Sequence, residues 1–82
     1  MEQNIISSPE ELRRFITSTI WNDLCSDLQI WISDIQEQLE IEPDHLMVRK
    51  LQGNLEACRR FLDLPRVLLE HAEVELENRS RR

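Results

Sequence analysis

Val48–Leu62 reads VRKLQGNLEACRRFL, and its apolar residues decide the fold. Val48, Leu51, Leu55, Cys58 and Leu62 recur at alternating spacings of three and four. The series continues through Pro65, Leu69, Ala72 and Leu76 without a polar interruption. Such a repeat places one side chain per half-heptad on a single helix stripe and predicts coiled-coil-like packing against a second helix.

Working back toward the N-terminus, Trp21, Leu24, Leu28, Trp31 and Ile35 form a matching stripe. The next positions in that phase, Gln38 and Glu42, are polar, and Pro43 follows. The connection around Glu42-Pro43-Asp44-His45 is too short for anything but antiparallel neighbours. With the turn near residue 43, facing residues have numbers summing to about 86, as in Ile35 with Leu51, Trp31 with Leu55, Leu28 with Cys58, Leu24 with Leu62 and Trp21 with Pro65. Opposite charges fall in the same register at Glu37 with Arg49, Asp27 with Arg59 and Arg13 with Glu73.

A helix start precedes this hairpin. Ser8-Pro9-Glu10-Glu11 combines a capping serine, a proline at the first helical position and a glutamate three residues after the cap. Beyond it the heptad phase fails, because Thr17 and Arg14 would occupy seam sites, and the apolar residues run Leu12, Phe15, Ile16, Ile20. At the same level of the other arm stands Pro65, which lacks an N–H and crowds the preceding turn. Helices are therefore expected over 9–18, 20–41, 45–63 and 65–77, with a flexible arm at 1–7 and a frayed basic tail at 78–82. Whether the junctions near Trp21 and Pro65 are kinks or breaks is open at this stage.

The seam is wider than two helices require. Cys25, Ile32 and Leu39 flank the first stripe; Met47, Ala57, Phe61 and Leu68 flank the second. A third apolar position per heptad means that each helix faces more than one neighbour. Either the terminal segments fold across this face or a second copy does, completing a bundle. The expected fold is an all-α antiparallel helical hairpin with short extra helical segments at both ends, completed by oligomerisation. The expected packing and interface residues are Trp21, Leu24, Leu28, Trp31, Ile32, Ile35, Leu39, Met47, Val48, Leu51, Leu55, Phe61, Leu62 and Leu69.

Composition narrows the function classes. Eighty-two residues form one small domain, for which self-association is a common source of added stability. With 40% hydrophobic and 32% charged residues, the chain is too apolar for disorder and too charged for a membrane span. One glycine and three prolines are too few for the turns of an all-β fold. The start Met1-Glu2-Gln3-Asn4 lacks the basic and apolar regions of a signal peptide, so the expected compartment is the cytoplasm. The net charge of −6 is confined to residues 1–41, and residues 42–82 balance. Such a field does not attract nucleic acid.

No constellation commits to a chemistry. Glu42-Pro43-Asp44-His45 has a Glu-x-x-His spacing, but only one copy, beside a turn proline, where a di-iron bundle needs two on facing helices. Cys25 and Cys58 lack an activating neighbour and read as buried thiols. Trp21 and Trp31 lie on the seam and read as core, with partner anchoring as the alternative. Ile5 and Ile6 either staple the first helix or dock on a partner. The acids Asp23, Asp27, Asp34, Glu37 and Glu40 read as a solvated face paired with Arg49, Arg59, Arg60 and Arg66, the alternative being a basic partner. Arg79-Ser80-Arg81-Arg82 suits a helix C-terminus, the alternative being a local contact with nucleic acid. Gly53 lies outside the seam in a helix interior and marks either a close backbone approach or a tolerated defect. No catalytic residue, cofactor or metal is expected.

Trp21-Asn22-Asp23-Leu24 running on through Asp34-Ile35-Gln36-Glu37-Gln38-Leu39-Glu40, together with Leu51–Pro65 (LQGNLEACRRFLDLP), resembles small uncharacterised helical proteins of tailed bacteriophages. The resemblance covers residues 8–76 and carries over no functional residue. It implies a virion or assembly component, or an early protein acting on the host. From the residues and the resemblance together, a non-enzymatic homo-oligomeric interaction protein is expected. A small acidic regulator that binds a host protein is the alternative.

Overall fold

The capping serine sets the first element. Ser8 Oγ accepts the Glu11 N–H at 3.2 Å, and Glu11 Oε1 accepts the Ser8 N–H at 3.3 Å, a reciprocal capping box that starts α1 (Pro9–Ile16). The computed structural model describes residues 5–81, and its further helices are α2 (Thr19–Ile41) and α3 (His45–Ser80). No strand occurs among the described residues. The arm expected at 1–7 is only partly described: residues 5–8 precede α1 without helical structure, and Met1–Asn4 lie outside the described residues.

Two hydroxyls end α1 and restart the chain. Thr17 Oγ1 donates to the carbonyls of Arg13 and Arg14, at 3.1 and 3.2 Å. Ser18 Oγ donates to Phe15 O at 2.6 Å and accepts the Trp21 N–H at 3.2 Å, so it serves as the cap of α2. This junction is thus a break, and α1 ends at Ile16 instead of 18. At the far end α2 stops at Ile41, two residues before Pro43, as the steric demand of a proline on its predecessor requires. Asp44 begins α3: its carboxylate accepts the Leu46 N–H at 2.9 Å and its carbonyl the Val48 N–H, also at 2.9 Å.

The helices at 45–63 and 65–77 are one helix. α3 runs through Pro65 without interruption and continues to Ser80. The buried ring of Pro65 stands in an apolar stripe that continues on both sides of it, and the gain from burying that stripe offsets the lost backbone bond. Ion pairs also bracket the proline. Arg66 holds Asp63 through two hydrogen bonds, of 2.8 and 2.7 Å, and also pairs with Glu70. The tail expected to fray is helical as far as Ser80, where Arg79 pairs with Glu75 at 2.9 Å and Arg81 with Glu77 at 2.8 Å. Arg82 lies outside the described residues.

The chain divides into two compact units, Asp23–Leu62 and Met1–Asn22 with Asp63–Arg82. The first is a helical hairpin of α2 and α3 residues joined by the turn at 42–44, with Ile32 and Leu51 buried and Cys25, Leu28, Ile35, Leu39, Val48, Leu55, Cys58 and Leu62 half-buried. In the second, Leu12, Trp21, Pro65 and Ala72 are buried, and the Phe15 and Trp21 rings lie 5.2 Å apart. Arg13 Nη2 donates to Glu73 Oε1 at 2.8 Å, the cross-chain charge pair that the register predicts.

On α2 the buried stripe differs from the expected one. It comprises Trp21, Cys25, Leu28, Ile32, Ile35 and Leu39, not Trp21, Leu24, Leu28, Trp31 and Ile35. Both phases share Trp21, Leu28 and Ile35, but the observed one remains apolar to Leu39 where the other meets Gln38. Leu24 and Trp31, expected in the seam, are 44% and 60% exposed. Trp31 is not core. On α3 the seam follows the expected positions from Val48 to Ala72, and Leu76 is exposed.

Candidate interaction surface

In the Asp23–Leu62 hairpin the displaced flank of α2 meets the flank of α3 along one side. Leu24, Asp27, Leu28 and Trp31 on α2, with Ala57, Cys58 and Phe61 on α3, line a cleft of ≈ 360 Å³. An adjoining cleft of ≈ 430 Å³ is lined by Trp31, Asp34, Ile35, Asn54, Ala57 and Cys58. Trp31, Ala57 and Cys58 belong to both, so the two form a continuous groove with Trp31 at its middle. Helix periodicity explains the alignment. Leu24, Asp27, Trp31 and Asp34 succeed one another at spacings of three, four and three, as do Asn54, Ala57 and Phe61 at three and four.

The expected packing residues therefore divide into two groups. Trp21, Ile32 and Leu51 are buried, and Leu28, Ile35, Leu39, Val48, Leu55, Leu62 and Leu69 are half-buried. Leu24, Trp31, Met47 and Phe61 are exposed, with Phe61 at 49%. Ile30, Ile41 and Leu46 are exposed as well. Leaving a large apolar side chain in water forgoes ~1.5–3 kcal/mol. Asn54, Asp27 and Asp34 line the groove without having been expected to; their signal in the sequence is the same three-four spacing, one position away from the seam.

Among the described residues, no ion pair involves Asp23, Asp27, Asp34, Glu37 or Glu40 of α2, or Arg49, Lys50, Arg59 or Arg60 of α3. The expected pairs Glu37 with Arg49 and Asp27 with Arg59 do not form, and Arg66 is engaged by Asp63 and Glu70 on its own helix. The reason is local. Residues three or four apart on one helix reach each other with short side-chain excursions, whereas a shared level on two helices does not by itself bring two side chains to the same side of the hairpin. The Arg66 hydrogen bonds hold the Asp63 carboxyl below the usual carboxylate range and push the guanidinium further up.

Glu42 Oε1 accepts the Asp44 N–H at 3.2 Å, within the turn, and His45 is exposed. No cluster of three metal-ligating side chains occurs among the described residues. Cys25 and Cys58 are free and half-buried, and Cys58 lines the groove. Ile5 is half-buried and Ile6 exposed. At Gly53 a Cβ would meet nothing within 4 Å, so none of the described residues makes the close approach that this glycine allows. No helix is long and apolar enough to cross a membrane among the described residues.

The fold and this surface define an all-α helical-hairpin protein with an uncovered apolar side. Compared with known proteins, the chain matches no family model, no curated protein and no solved structure.

Proposed function

We propose that the chain is a non-enzymatic helical packing protein that works as a homo-oligomer. The observation that carries this reading is the uncovered groove of the Asp23–Leu62 hairpin, with Trp31 60% exposed at its centre. Tryptophan is the residue type most enriched among the energetic anchors of protein interfaces. A half-exposed phenylalanine and leucine beside it supply the surrounding apolar area. The resemblance to small tailed-phage proteins supports a role as a virion structural or assembly component in the host cytoplasm.

A second reading follows from a different observation. The unpaired acids of α2 suit a small acidic regulator that binds a basic host protein. Fractionating an infected or expressing culture separates the two. A packing component migrates with particles or as multiples of its 9.8 kDa chain, whereas a regulator migrates with one soluble heterologous protein. Recovery only as a free 9.8 kDa species would overturn the first reading.

A further inference from the structure

We draw no further inference here: the strongest candidate, the apolar groove around Trp31 between α2 and α3 of the Asp23–Leu62 hairpin, carries nothing, because nothing in the structure shows what covers it.

Discussion

Trp31 and Ile32 are adjacent in α2 and have opposite surroundings, the indole 60% exposed and the isoleucine 7%. One residue along a helix is a rotation of ~100°, enough to carry a side chain from the buried stripe to the groove. Truncating them should therefore have different consequences. Ile32→Ala is expected to destabilise the fold by ~2–5 kcal/mol in chemical denaturation. Trp31→Ala should leave the stability of the dilute chain nearly unchanged and weaken its association. Equal losses of stability in both variants would contradict the assignment of Trp31 to a surface.

Gly53 provides a test with an unusual sign. Glycine in a helix interior is less favourable than alanine by roughly 0.5–1 kcal/mol, and a Cβ at this position meets nothing within 4 Å. Gly53→Ala should therefore raise the unfolding free energy of the dilute chain by about that amount.

The capping box should be measurable in isolation. Ser8→Ala removes the acceptor for the Glu11 N–H and is expected to cost ~0.5–2 kcal/mol, seen as a lower thermal midpoint and faster amide exchange in α1. An unchanged exchange pattern at Glu11 would show that another group takes over the cap.

The ion pairs around Pro65 predict a pH dependence. The hydrogen bonds from Arg66 lower the Asp63 pKa in the folded chain. A depressed carboxylate pKa means that the folded state binds its proton later than the unfolded one does. The stabilisation is thus complete above the unfolded-state pKa and is lost as pH falls through the folded one. Carboxyl-detected NMR should place the Asp63 midpoint below the usual aspartate range, and Arg66→Gln should move it upward. A midpoint indifferent to Arg66 would contradict the clamp.

How much of this was legible in the sequence depends on whether a signal was local and unambiguous. The capping box at Ser8, the turn at Pro43 and the α3 stripe from Val48 to Ala72 were readable, because each rests on residues that admit one interpretation. The Arg13–Glu73 pair was readable from the register alone. The phase of α2 was not, since Trp21, Leu28 and Ile35 belong to both possible stripes and only the polar Gln38 separates them. The continuity of α3 was obscured by Pro65, whose local cost is evident in the sequence while the compensating burial is not. The groove edges were hidden for a related reason. The charges of α2 and α3 were matched by register across the hairpin, but a shared level does not by itself put two side chains on the same side of it.

The central claim is that the groove around Trp31 joins copies of this chain. Light scattering with online concentration measurement over a hundredfold dilution range tests it directly. The account predicts a mass that rises from 9.8 kDa to twice that value as concentration increases, with the transition displaced to higher concentration in Trp31→Ala. A mass fixed at 9.8 kDa throughout, or a dimer indifferent to Trp31→Ala, would contradict it.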